Sequence, residues 1–461
     1  MGTDIDNGKH SNCSIEAQND CQFQQAAILA VENVNSFGSS ILAISFLLDL
    51  FGNLKILEVA MGMLVWANSN PCGNFRPQKL ILLNICLIKA LTLDIVYITL
   101  ETVAISILVI EMGKSFTGDL FDCIDMYKQP AFDHPALKNH KLQIRPSFET
   151  KNNVTMDENF KSLLDPGFND TCPPGTVIIR RTRKEDLMMA KELPKYFRSY
   201  GSRYHVLDSS GQNYYAIVQS QKSRFHGFQA KLTTWALPNV GPNQGSANQV
   251  WMYGDIDGPD GSLNVIQTGW HVLPRLYNDT FTRFFTYFTI DDYKTGCMNL
   301  NCKGFIQVSA THGPGFSFTG TDLSTYGGTQ AYFDFQILKD PKLGNWWLSM
   351  GGINLGYWPK EVLPNLETST ALDFGGAVYT PNNEASPPMG NGHFPQEGIG
   401  KACYFMQTQF IGEDQRPFTP GPHWGYPDKN ADGRYYRISA APVYRGFWNV
   451  AYGGPGGLLP Q

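Results

Sequence analysis

The 461-residue sequence predicts a mainly β protein, an antiparallel β-sandwich of two sheets, and three observations point there. Charged residues are 17%, against roughly 25% in an average soluble domain, while aromatics reach 13% beside 45 glycines and 28 prolines. Long exposed helices draw on Glu, Lys, Ala and Leu, so this composition favours strands and turns. Second, hydrophobicity alternates with period two from about Phe225: Ala331, Phe333, Phe335 and Ile337 share one face, Tyr332, Asp334 and Gln336 the other, between Gly328 and Asp340-Pro341. Third, similar strands are expected at 231–237, 249–253, 264–272, 284–290, 304–309, 371–380 and 404–411, joined by Gly- and Pro-rich turns with almost no helix between them. At 42% hydrophobic residues the chain buries enough apolar surface to offset its entropy, which excludes disorder. The net charge of −5 leaves no basic footprint for nucleic acid.

Three regions follow in order. Residues 1–112 are atypical, with hydrophobic stretches at 36–66 and 80–112, and we expect a helical segment there. Asp49, Lys55 and Glu58 interrupt the first stretch and Lys89, Asp94 and Glu101 the second. A membrane span wants about 20 apolar residues with few charges, so membrane association is not expected from either. The polar start has no basic n-region leading into an apolar run, hence no recognisable signal peptide, and Asp6 stands where a myristoylation signal wants Ser or Thr. Residues 113–205 are basic and loop-rich. One helix start is legible, with Thr182 as N-cap and Glu185 completing a capping box ahead of Leu187, Met188 and Ala190. Residues 220–461 carry the sandwich.

Nine cysteines raise the question of compartment. Cys297 and Cys302 can bridge one tight loop, and Cys123 and Cys172 flank a Pro- and Asn-rich stretch. A C-x4-C spacing with no second half and no His at ligand distance argues against zinc, so disulfides are expected at these four, with ordinary buried thiols as the alternative. Sequons at Asn12, Asn153, Asn169 and Asn278 agree with secretion and glycosylation. There is no Gly-x-Ser-x-Gly elbow, no His-Glu-x-x-His, no phosphate loop and no dinucleotide fingerprint; 428–433 matches half a calcium loop but has Ser439 where a bidentate Glu belongs. No cofactor and no metal are expected. Composition and spacing alone stop at a secreted-type β-rich globular protein.

Longer motifs carry the reading further. Ile266-Gln267-Thr268-Gly269-Trp270-His271-Val272, Thr295-Gly296-Cys297-Met298-Asn299-Leu300-Asn301-Cys302, Gly356-Tyr357-Trp358-Pro359, Phe374-Gly375-Gly376, Met389-Gly390-Asn391-Gly392-His393-Phe394-Pro395 and Tyr452-Gly453-Gly454-Pro455-Gly456 closely resemble the neprosin family of plant proteins. Tyr127-Lys128-Gln129-Pro130-Ala131-Phe132-Asp133-His134-Pro135 resembles that family's activation peptide. The resemblance runs from about Asp119 to Gly456. It implies a secreted glutamic endopeptidase made as a zymogen, on a glutamic-peptidase-like sandwich, cleaving next to proline in acid. Two facing glutamates do that chemistry: one takes a proton from water, the other donates to or polarises the scissile carbonyl, and their mutual repulsion separates their pKa values.

On this resemblance the family's two glutamates fall at Gln267 and at Ala377. An amide at Gln267 can still donate to a developing oxyanion, as in the related fungal enzymes with a Gln/Glu dyad. A methyl at Ala377 cannot accept a proton, and losing a general base costs about 10²–10⁴ in rate. Asp373 shares a strand face with Ala377 but lies about 13 Å along it, a poor substitute for that position. A cysteine pair usual in the family is absent at both positions, which are Tyr435 and the 457–460 tail, so that bridge is lost without an orphan thiol; Cys403 has no obvious partner of its own and is expected to be buried. The expectation is therefore a catalytically impaired member that keeps a cleft for Pro-rich peptides or cell-wall proteins, with Trp270 and Tyr287 as ring-stacking surfaces. The alternative is an active acid peptidase.

Overall fold

The computed structural model describes residues 110–115, 117–148, 160–162, 171–189, 192–199, 210–421, 423–430, 432–440 and 447–458. The expectations for residues 1–109, and the sequons at Asn12, Asn153 and Asn169, lie outside the described residues.

Strands β1 (Ile110–Lys114), β2 (Leu120–Asp125), β3 (Phe160–Ser162) and β4 (Thr176–Arg180) precede the short helices α1 (Lys184–Met189) and α2 (Leu193–Phe197). Next come β5 (Gly211–Ser220), β6 (Phe225–Thr233), β7 (Gly245–Gly254), β8 (Asn264–Val272) and helix α3 (Pro274–Tyr277). Then follow β9 (Arg283–Thr289), β10 (Cys297–Met298), β11 (Ile306–Gln307), β12 (Gln330–Lys339), β13 (Trp346–Met350), β14 (Ile353–Trp358) and β15 (Ala371–Pro381). The last are β16 (Cys403–Gly412), β17 (Pro417–Phe418), β18 (Gly425–Lys429), β19 (Arg437–Ala440) and β20 (Trp448–Gly453).

They form the expected sandwich. One sheet has seven strands in the order β10-β9-β8-β7-β15-β5-β18; the other has ten, running β11-β14-β13-β12-β6-β16-β20-β19 with β17 against β16 and β3 against β12. All pairings among the described strands are antiparallel except β3 on β12. A third, small sheet β1-β2-β4 belongs to the preceding region. The seven-stranded sheet takes in β5, which starts at Gly211, just ahead of the expected boundary at 220.

The period-two pattern of β12 holds: Ala331, Phe333, Phe335 and Ile337 are buried, while Asp334 and Gln336 are half-exposed. Between the sheets Phe228, Phe335, Phe374, Phe405, Phe410 and Trp448 pack with ring centroids 5.3–6.4 Å apart, a geometry that adds about 0.5–1.5 kcal/mol per pair to simple burial. Disulfides join Cys123 to Cys172, tying β2 to the chain ahead of β4, and Cys297 to Cys302. Cys403 is a buried free thiol, its pKa pushed up to about 11 by burial.

The helix start differs from expectation. α1 begins two residues after Thr182, whose hydroxyl faces Asn301 instead of capping; Asp186, not Glu185, reaches back to the Arg183 N–H at 2.8 Å. Asp186 wins because its carboxylate also pairs with the Arg180 and Arg183 guanidiniums. Among the described residues no helix is long and apolar enough to cross a membrane.

Candidate active site

Gln267 sits in the middle of β8 with its side chain on the outer face of the seven-stranded sheet, away from the second sheet. Antiparallel pairing aligns the strands in rows: Tyr287 on β9, Gln267 on β8, Trp251 on β7, Asp373 on β15, Gln219 on β5 and Tyr426 on β18 are successive register partners. Partners in register point to one face, so Gln267 and Asp373 flank Trp251 on the outer face. At about 4.8 Å per strand their Cα atoms are about 10 Å apart. Ala377 lies four residues further along β15, in the row of Ala247 and His271. It is thus about 13 Å along and about 10 Å across from Gln267, too far to share one substrate bond with it.

The row between these two is nearly bare. Gly269 and Gly375 stand level across Gln249, with φ of +156° and +148°, and a Cβ on either would collide with a neighbouring backbone carbonyl. The groove floor therefore lets another backbone approach closely.

Asp373 is buried, and burial pushes its carboxyl pKa up to about 7; hydrogen bonds from the Tyr253 hydroxyl at 2.8 Å and from Gln219 oppose the shift only in part. The Gln267 amide donates from Nε2 to the Tyr293 hydroxyl at 2.6 Å. Tyr293 adopts φ +66°, a conformation rare for a bulky residue, so its loop is held under local backbone strain. Several polar atoms on this face make no hydrogen bond among the described residues: Gln267 Oε1, both amide atoms of Gln249, Trp251 Nε1, His271 Nδ1 and the Tyr287 hydroxyl. Each buried polar atom left unpaired costs about 1–3 kcal/mol, so these groups remain available to further hydrogen-bond partners. His271 stacks on Phe285 at 4.5 Å, and burial holds its pKa down at about 3, so the ring is neutral.

What covers this face is α2 and the residue after it. Phe197 stacks on Tyr287 with centroids 4.7 Å apart and planes 13° apart, and Tyr196 meets Tyr379 edge-on at 4.6 Å. The segment's backbone is gripped as well: the Phe197 carbonyl accepts from Gln267 Nε2 at 2.9 Å, the Arg198 carbonyl from the Tyr215 hydroxyl at 2.7 Å, and the Lys195 carbonyl from Asn213 Nδ2 at 2.9 Å. Beside Asp373 a cavity of about 250 Å³ lined by Gln219, Lys222, Ile256, Ala371 and Tyr426 stays uncovered.

An ion-pair network anchors the covering region to the sandwich. Asp119, between β1 and β2, pairs with Arg180 of β4 and with Arg283 of β9; Asp186 of α1 pairs with Arg180 and Arg183; Asp279 pairs with Arg283. The Arg180 and Arg283 guanidiniums lie over the Tyr277 ring at 5.0 and 4.3 Å from its centroid. Burial alone would raise the Asp119 carboxyl, yet the Arg283 and Arg180 charges outweigh it and hold its pKa below the usual carboxylate value.

Two sequence expectations separate here. Tyr287 lies in the cleft, under Phe197. Trp270 does not: three residues from Gln267 on a strand, it points to the opposite face, is fully buried between the sheets, and donates its indole N–H to the Thr233 carbonyl at 2.8 Å. It is a core residue. Asn278, the remaining sequon, is exposed at the end of α3 in a left-handed conformation that Asn tolerates. Among the described residues no group of three or more His, Cys, Asp or Glu side chains is gathered to hold a metal.

The outer face of one sheet of the β-sandwich thus carries an acid and an amide, with the segment around Phe197 lying on it. Residues 112–230 match the neprosin activation peptide and residues 242–455 match neprosin, and the chain belongs to the neprosin family. Among solved structures it is similar to SCP-B, a member of the Eqolisin family of peptidases in complex with the tripeptide Ala-Ile-His, at 7% identity over 53% of this chain and 98% of that one, TM-score 0.26. It is also similar to scytalido-glutamic peptidase with a transition-state analog inhibitor, at 8% identity over 53% and 98%, TM-score 0.27.

Proposed function

We propose that this protein is a secreted, latent acid peptidase in which Asp373 and Gln267 divide the work of the two family glutamates. The observation that carries the reading is the row itself: a carboxyl and an amide flank Trp251 on one face, and the amide already holds a peptide carbonyl, that of Phe197. In the reaction ionised Asp373 takes a proton from water as the water oxygen attacks the carbonyl carbon, and Gln267 Nε2 donates to the oxygen as it gains negative charge. The proton then passes from Asp373 to the leaving nitrogen as the C–N bond breaks.

Latency follows from the same geometry. With the segment in place Asp373 is neutral below about pH 7, because burial disfavours its charge. The amide is blocked as well: the Phe197 carbonyl occupies Gln267 Nε2, so the donor is free for a substrate carbonyl only once the segment departs. Two disulfides fit an oxidising compartment, and the exposed Asn278 suits glycosylation. Proline specificity and a preference for Pro-rich wall proteins are proposals carried by the family resemblance.

The competing reading, an impaired member that binds peptides without cutting them, rests on the methyl at Ala377. A peptide-cleavage assay across pH 3 to 7 separates the two. With Asp373 as base, Asp373→Asn lowers cleavage by about 10²-fold or more and Ala377→Glu gains nothing. A parent chain that is inactive, together with activity created by Ala377→Glu, overturns the proposal and establishes the impaired reading.

A further inference from the structure

We infer that a binding site for an acidic saccharide lies at one end of the sandwich, in the notch between the ends of β6, β12 and β16 and the 360–367 connection. The notch is a cavity of about 530 Å³, a size usual for ligand clefts, and no residue of the cleft over Gln267 and Asp373 lines it. Its character follows from the strand pattern. The inward series Ala331, Phe333, Phe335 and Ile337 of β12 ends in Lys339, and on β6 the inward Phe228 has His226 two residues before it. Gly227 and Leu338 are register partners, so the last rung turns two basic groups, in place of rings, toward the space between the sheets.

Positive charge is left over here. Lys339, Lys342 and Lys360 line the notch and make no ion pair among the described residues; the Lys339 ammonium donates to the Glu367 backbone carbonyl. Two of the three carboxylates beside them are engaged. Asp340 accepts from the Lys342 and Leu343 N–H groups at 2.9 and 3.0 Å and from Gln143 and Ser147, and Glu413 pairs with Arg224 at 2.5 Å. Three ammonium groups therefore face one free carboxylate, that of Glu367. Burial lowers the pKa of Lys339 and of His226; the Arg224 and Lys360 charges add to the first shift and the Lys339 charge to the second, against Glu367 and Glu413. A bound anion relieves that repulsion.

Two further features choose among anions. Gln415 Nε2 meets His226 Nδ1 at 2.8 Å while its buried Oε1 has no partner, which leaves an acceptor for a hydroxyl group. Pro341, Leu343 and Pro364 add exposed apolar surface beside the lysines, where the C–H face of a sugar ring can lie. Carboxylates for the lysines, a hydroxyl for Gln415 and a C–H face for the prolines together describe a chain of sugar acids.

The test titrates the full-length chain near neutral pH and low salt with trigalacturonate, its methyl ester, maltotriose and inorganic phosphate, read by isothermal calorimetry. We expect trigalacturonate to bind about tenfold or more tightly than each of the others, because it alone offers both carboxylates and hydroxyls. The double variant Lys342→Gln/Lys360→Gln changes two exposed side chains; it should weaken that binding about tenfold or more and leave the unfolding midpoint in place. Phosphate, ester or maltotriose binding as tightly as trigalacturonate overturns the acidic saccharide. No binding to the parent chain, or undiminished binding to the double variant, overturns the site.

Discussion

On the inner face of the seven-stranded sheet Phe374 meets Phe228, Phe405 and Trp448, and Trp270 gives its indole N–H to Thr233; on the outer face Trp251, Gln249, Gln267 and His271 leave polar atoms unpaired. Both faces are dry. Ser246 and Asn248 each leave one atom unpaired on the inner side, but there the apolar rings set the character. The inner face buys stability by close packing, whereas the outer face keeps polar groups in reserve and is closed by a segment that answers only some of them. A strand exposes both characters in alternate residues, so one mutation per face tests the contrast directly.

The largest expected difference is in stability. Phe374→Ala removes a fully buried ring from the junction of four others and should cost about 3–5 kcal/mol in denaturant unfolding. A loss below about 1 kcal/mol would mean that the space between the sheets collapses around the cavity and that the inner face is not the tightly packed side.

The next contrast is in pH, and its two limbs have opposite signs. Asp373 has a raised folded pKa, so the covered state binds more protons there than the unfolded chain does, and its contribution is lost as pH rises from about 4 to about 7. The upper bound, at about 1.4 kcal/mol per pKa unit, is roughly 4 kcal/mol. Asp119 has a depressed folded pKa, so the contribution of its pairs with Arg180 and Arg283 is present above the unfolded value near 4 and lost as pH falls below it. Thermal unfolding followed from pH 2 to 8 should show a maximum between these limbs. Asp373→Asn should flatten the upper limb and Asp119→Asn the lower one. Unchanged limbs in both variants would separate the covering segment's stability from these two carboxyls.

How much of this was legible in the sequence depends on whether the information is local. Period-two alternation located β8 to the residue and β12 to within a residue or two, because each strand has one apolar face to bury. Parity along β8 alone separates Gln267 from Trp270, three residues apart and so on opposite faces. Along its own strand Asp373 reads only as distant from Ala377; its level with Gln267 depends on the pairing of β15 with β7 and of β7 with β8, which no single strand encodes. Phe197 carries no local signal: α2 is five residues long with a proline at its second position, too short for a helical period to stand out. The helix start at Thr182 was displaced because Asp186 draws extra strength from Arg180, a residue on a neighbouring strand.

The smallest effect is the most discriminating. Tyr287 stacks under Phe197, yet its hydroxyl has no partner among the described residues. Tyr287→Phe keeps the ring and removes only an unpaired polar atom. In a finished core that exchange costs stability when the hydroxyl is bonded and is neutral or favourable when it is not, within about 1 kcal/mol. The covered chain should therefore unfold at the same denaturant concentration or a slightly higher one. A loss of more than about 1 kcal/mol would show that the hydroxyl is satisfied, by water or by a neighbour, in the covered state, and the outer face would then resemble the inner one more closely than its geometry indicates.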